Sequence, residues 1–311
     1  MAALHLDKRH EHLKCSNLFK TSLVVIIILM MLLITPARYR EVSSTSLLAT
    51  SQVKGPTTDG SRPIMHTFFE EVPGGCCGAS SSGHNNLLNA WKSAWERAGW
   101  DTKILTIEDS KKNSYFDSFE RVVAGLQIDD YNKRCFYRWF AMANTEGGGW
   151  MSDYDLFPLN ISIKDGLNLP NNGQFTSFEG SVPSLLSASE AEWNRMASLI
   201  IETIKIHKGI LSDMYVLDTI RQSKDLQDGS IFVLPRIAVV QGFLYDEKMH
   251  VDCMLLSGMK ALHLSHESTN AAVQHAIYPI NATSLQDALE NRGKAAEIYL
   301  SDWDKQCKAP F

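Results

Sequence analysis

The stretch Gly147-Gly-Gly-Trp-Met-Ser-Asp-Tyr-Asp155 constrains the fold of this chain more than any other. Consecutive glycines end a helix and turn the backbone sharply, because glycine reaches positive φ without a Cβ clash. The segment from Trp150 to Leu156 then reads as a strand, on which side chains two apart share a face. Asp153 and Asp155 should therefore point the same way, about 6.6 Å apart along the chain at about 3.3 Å per residue. Two like charges on one face of an apolar segment repel and resist desolvation. A hard divalent cation with oxygen ligands relieves both costs. A solvated loop with two surface carboxylates is the alternative.

A second feature acts on the topology of the whole chain. Leu23 to Ile34 contains no polar residue, and Phe19 to Thr35 is interrupted only by Lys20, Thr21 and Ser22. A helix over that run spans roughly 26 Å at 1.5 Å per residue, which suits a thin early secretory bilayer. Lys8, Arg9, Lys14 and Lys20 precede it, which favours a cytosolic N-terminus. The expected organisation is a cytoplasmic tail (1–20), a transmembrane signal-anchor (21–36), a stem (37–62) and a lumenal domain (63–311). A signal peptide cleaved near Thr35-Pro36-Ala37 is the alternative. The sequons at Asn160 and Asn281 agree with a lumenal domain. Beyond the anchor, Cys76, Cys77, Cys135, Cys253 and Cys307 allow at most two bridges, with no readable connectivity and no zinc spacing. The net charge of −5, with no basic block outside the N-terminus, gives a nucleic-acid partner no electrostatic support.

From Ile64 the pattern alternates. Ile64 to Val72 reads as a buried strand. Leu87, Leu88, Trp91, Ala94, Trp95 and Ala98 follow at helical spacing, stopped by Gly99. Trp100 to Ile107 reads as the next strand. Phe116 to Leu126 and Asp130 to Asn144 read as amphipathic helices, the second carrying Arg134 and Arg138 on one edge. Glu179 to Ser187 reads as a strand, and Ser189-x-x-Glu192 is a capping box before another helix. Asp213 caps a further short helix, Pro235 interrupts a strand-like run over 230–240, and a final helix covers Leu285 to Trp303. This order predicts an α/β domain with a mixed, mainly parallel sheet flanked by helices, its ligand crevice off the carboxyl ends of the strands.

A cation on Asp153 and Asp155 needs more ligands. His263 and His266, three apart after an apolar segment, are the best protein candidates, with His66 and His84 weaker ones. His66, in the first strand, is better placed to touch a bound ligand. Arg138 leads into the glycine turn, where a cation could meet a phosphate. Asp213 and Asp252 are possible acceptor-side carboxylates.

The run Lys133-Arg-Cys-Phe-Tyr-Arg138, followed by Gly148-Gly149-Trp-Met-Ser-Asp153-Tyr-Asp155, resembles the sugar-binding region of the OCH1-like mannosyltransferase and alpha-1,4-galactosyltransferase group (GT32-like). The similarity is clearest over 130–158. A looser one runs from Ile64-Met-His-Thr67 towards His266. Cys135 stands where that group usually has aspartate. The resemblance implies a GT-A fold and a type II enzyme of the Golgi or ER membrane. It also implies transfer, with retention, from a UDP- or GDP-sugar to a glycan, glycoprotein or glycolipid. Asp153 and Asp155 would hold Mn²⁺ or Mg²⁺ with His263 or His266, and Arg138, His66, Gly148 and Gly149 would line the donor side. A non-catalytic sugar- or nucleotide-binding protein of the same fold and a glycoside hydrolase are the competing readings.

Overall fold

The computed structural model describes residues 53–57, 62–72, 78–223, 231–239 and 250–308. The chain divides into two units, Met1–Ala49 and Thr50–Phe311, and the first lies outside the described residues. The expected tail, signal-anchor and most of the stem fall there too. No helix among the described residues is long and apolar enough to cross a membrane.

Among the described residues of the second unit the strands are β1 (Ile64–Phe68), β2 (Asp101–Leu105), β3 (Gly149–Ser152), β4 (Leu156–Pro158), β5 (Thr176–Ser177), β6 (Leu185–Ala188), β7 (Phe232–Val233), β8 (Ile237–Val239) and β9 (Ala261–His263). The helices are α1 (Ser81–Arg97), α2 (Ile107–Lys111), α3 (Phe116–Val123), α4 (Asp130–Ala143), α5 (Ile163–Leu167), α6 (Glu190–Ile206), α7 (Asp213–Gln222), α8 (Cys253–Leu256), α9 (His266–Gln274), α10 (Leu285–Glu290) and α11 (Arg292–Cys307). Six strands form one sheet in the order β2-β1-β3-β6-β5-β7. β1 runs parallel to β2 and β3, and β5 parallel to β7, while β6 is antiparallel to β3 and β5. The remaining three make a small sheet, β4-β9-β8.

Strand alternation builds two cores, one on each face of the large sheet. Met65, Trp150 and Leu185 join Trp91, Trp95, Tyr299 and Trp303 from α1 and α11. Met151 and Leu186 join Phe119, Phe136, Phe140, Trp193 and Leu217 from α3, α4, α6 and α7. Both faces of the sheet are thus covered by helices, and the centre strand β3 is buried throughout. The helix starts are locally encoded: Ser80 accepts from Gly83 N, Asp129 from Asn132 N and Ser212 from Tyr215 N.

Several boundaries differ from those read in the sequence. Val53 to Thr57, assigned to the stem, is docked: Gly55 N donates to Leu167 O at 3.1 Å and Leu169 N to Val53 O at 3.0 Å. Pro235 does more than interrupt a strand, since β7 before it belongs to the large sheet and β8 after it to the small one. The final helix breaks at Asn291, which closes α10 and opens α11. A disulfide, Cys253–Cys307, ties α8 to the end of α11, and Cys135 is a free thiol. Of the two sequons, Asn281 is exposed. Asn160 Nδ2 instead donates to Leu256 O at 2.9 Å and Met259 O at 3.0 Å.

Candidate metal centre

The Asp-Tyr-Asp segment is not a strand. β3 ends at Ser152, where Asp153 N makes a last bond across the ladder to Ser184 O at 2.8 Å. Leu156 N then donates to Asp153 O at 3.1 Å, closing a tight turn with Tyr154 and Asp155 at its corners. The chain leaves this turn as β4, in the other sheet. The two carboxylates therefore converge because the backbone folds back, and not because they alternate along a strand. Local polarity wins here: both aspartates favour a turn, and each has a cation to meet.

β4 brings the histidine. It pairs antiparallel with β9 so that Leu156 faces His263, and Leu264 N donates to Asp155 O at 2.9 Å. That register lays the imidazole beside the turn, with His263 Nε2 at 3.3 Å from Asp155 Oδ1. One ligand atom each from Asp153, Asp155 and His263 lie within 4.8 Å of one another. His266 is not part of this cluster; it sits exposed in the first turn of α9, just past the Ser265 cap.

Each aspartate is met by a guanidinium. Arg138 lies on the buried side of α4; its Nη1 donates to Asp153 Oδ1, while Nε and Nη2 donate to Asp213 Oδ2 at 2.9 and 2.5 Å. Asp213 also accepts from Trp139 Nε1 at 3.0 Å, and it opens α7 without capping it. Arg292, at the start of α11, donates from Nη1 to Asp155 Oδ2 at 3.0 Å and to Leu264 O at 3.2 Å. Behind the histidine, Glu179 Oε2 accepts from His263 Nδ1 at 2.8 Å and from Ser184 Oγ.

These neighbours pull the ionisations apart. Asp153 is pushed up to about 6, by burial first and by the Asp155 charge, against the pull of Arg138. Burial would raise Asp155 as well, but the His263 ring and Arg292 hold it below the ordinary carboxylate range. Burial would lower His263, yet Asp155 and Glu179 raise it well above its ordinary value.

The other sequence candidates do other work. His66 is buried in β1 and its Nδ1 bonds Trp150 O at 2.9 Å, a strut between β1 and β3. Burial lowers it to about 4, so it is neutral at ordinary pH. His84 Nδ1 meets Tyr154 Oη at 2.9 Å. Gly148 and Gly149 serve the backbone. At Gly148 (φ +73°) a Cβ would come 2.4 Å from Glu190 N, and at Gly149 (φ +116°) 2.8 Å from Pro56 Cγ. Asp252 caps α8 through Leu255 N at 2.9 Å. Sequence reasoning missed Glu179 and Arg292 and misread Asp213. No local pattern marks the first two, which reach the centre only through the β5–β6 connection and the start of the last helix.

Fold and cluster together define an α/β protein with a carboxylate–histidine centre at the carboxyl end of its central strand. A family model described as a domain of unknown function (DUF8765) matches residues 46–213, and the chain belongs to that family. The matched segment contains Arg138, Asp153, Asp155, Glu179 and Asp213, whereas His263 and Arg292 lie beyond it. No curated protein matches the chain.

Proposed function

We propose that this protein is a metal-dependent glycosyltransferase of GT-A type, moving a sugar from a UDP- or GDP-sugar to a glycan or glycoconjugate acceptor. The observation that carries the reading is the convergence of Asp153, Asp155 and His263 within 4.8 Å. The charges support it. Four carboxylates (Asp153, Asp155, Glu179, Asp213) stand against two guanidiniums (Arg138, Arg292). With His263 neutral, the excess is the charge of one divalent cation. The 3.3 Å between His263 Nε2 and Asp155 Oδ1 is close to the roughly 3 Å between adjacent ligands on a six-coordinate Mg²⁺ or Mn²⁺. Placement also supports it, because open α/β sheets bind ligands beyond the carboxyl ends of their strands.

Asp153, Asp155 and His263 would hold the ion. Bound there, it would supply Lewis-acid stabilisation of charge on a departing nucleoside diphosphate. Arg138 and Arg292 orient the two carboxylates, so little reorganisation is needed when ligand arrives. On this reading the enzyme is a type II protein of the Golgi or ER membrane, with Thr50–Phe311 lumenal. The hydrolase reading fits less well: both aspartates sit on one turn, whereas hydrolase carboxylates flank a bond from two sides.

The test is a thermal-shift panel on the full chain with Mn²⁺ and a series of UDP- and GDP-sugars, followed by transfer assays on the donor that stabilises it. A Mn²⁺-dependent, nucleotide-specific rise in Tm that disappears in Asp153→Asn is expected. Stabilisation without turnover of any donor would make the protein a sugar-nucleotide binder. No response to any nucleotide would overturn both.

A further inference from the structure

We propose that Glu179 is the positioning residue of the metal centre, presenting His263 to the cation through Nε2; this rests on the metal-site reading above. A histidine ligand uses one ring nitrogen, and what the other nitrogen bonds decides the tautomer and the plane of the ring. Here His263 Nδ1 lies 2.8 Å from Glu179 Oε2, and Nε2 is the atom that faces Asp155. With Nδ1–H donated to a carboxylate, the Nε2 lone pair is free for a metal, and the carboxylate raises its basicity.

Glu179 is itself held. Its Oε2 takes the Ser184 hydroxyl, and Val182 N donates to its carbonyl at 3.1 Å. Ser181 Oγ anchors the same connection to Asp218 at 2.6 Å, and Ser177 Oγ donates to Gly180 O at 2.7 Å. The His263 ring is thus gripped from the β5–β6 connection while its backbone is fixed by β4. Removing Arg138 would disturb one carboxylate of the centre. Removing Glu179 would disturb the ligand that comes from outside the Asp-Tyr-Asp turn.

The measurement is Mn²⁺ affinity of the full chain in detergent, read as free Mn²⁺ by electron paramagnetic resonance, at pH 6 and pH 8. Wild type, Glu179→Ala, Glu179→Gln and Asp153→Asn are compared. Outer-shell partners of metal-bound histidines are worth about 10- to 100-fold in affinity. Glu179→Ala should therefore bind that much more weakly at pH 8, with Glu179→Gln between it and wild type, since an amide oxygen still accepts from Nδ1–H. If Glu179→Ala does not fold, judged by its melt, the Gln variant alone decides. A purely ion-pairing Glu179 predicts the opposite pattern: Glu179→Ala binding Mn²⁺ as tightly as wild type or tighter at both pH values, because the carboxylate that holds the His263 proton is gone. That result would sink the assignment while leaving the metal centre intact. Wild-type binding no tighter than Asp153→Asn would instead remove the metal centre, and this assignment with it.

Discussion

At the scale of single residues, Arg138 concentrates the most consequence. Its side chain is 10% exposed and that of Asp213 4%, so both charges lie away from water and depend on each other. Breaking a buried pair by deleting one partner leaves an uncompensated charge, at a cost of about 3–5 kcal/mol. Arg138→Met should therefore lower unfolding stability by that amount in a urea titration. Arg138→Lys should recover only part of it, because one ammonium cannot reproduce three donors spread over Asp153 and Asp213. Full recovery by lysine would mean that charge alone matters there. His66 carries a second residue-scale expectation. Folding holds it neutral with a pKa of about 4, against 6.5 for an unperturbed histidine. The unfolded chain takes up this proton first. The contribution of His66 is thus complete above pH 6.5 and is lost as pH falls towards 4, by roughly 3 kcal/mol in all. His66→Asn does not titrate. The stability difference between wild type and this variant should shrink across that window, and a flat difference would contradict the assignment.

At the scale of elements, local chemistry was legible and long-range pairing was not. Apolar spacing marked α1, α3 and α4 to within a few residues, and Pro235 was visible as a break. The turn at Asp153 was not, because Trp150 and Met151 read as the start of an uninterrupted apolar strand. What ends β3 is a switch of partners, from β6 to β9, and β9 lies more than a hundred residues further on. The glycines before β3 were legible in kind, as a turn, though not in purpose. Gly148 is where the backbone of Ser189 and Glu190 closes against the turn, with an added Cβ only 2.4 Å from Glu190 N. Gly147, at φ +72°, has only Pro56 Cβ nearby at 3.7 Å. Gly147→Ala should therefore cost about 1 kcal/mol, for positive φ alone. Gly148→Ala should cost roughly 2–4 kcal/mol, because clash with fixed backbone adds to the strain. Thermal melts of the two variants separate these cases, and equal costs would mean that α6 can withdraw.

At the scale of the whole unit, the centre joins elements far apart in sequence: α4, the β3–β4 turn, the β5–β6 connection, α7, β9 and α11. The ligands themselves come from two of these, the β3–β4 turn and β9, which a bound cation would brace together, and protons compete for the same atoms. Without a cation, His263 is raised well above 6.5 and Asp153 stands at about 6. Both are folded-state values above the unfolded ones. The metal-free protein therefore gains stability from these protons at low pH and loses it as pH rises through the two values. A cation needs Nε2 unprotonated and Asp153 ionised, so its binding releases those protons and strengthens with pH. Near pH 6 both groups give up protons on binding, whereas well above it Asp153 is already ionised and fewer protons are released. The Mn²⁺-induced rise in Tm should accordingly be small at pH 6 and larger at pH 8. Calorimetry in two buffers of different ionisation enthalpy should count more protons released at the lower pH. A Tm rise that is the same at both pH values, with no buffer dependence of the heat, would place the cation elsewhere and leave Asp155–His263–Glu179 a plain ion-pair chain.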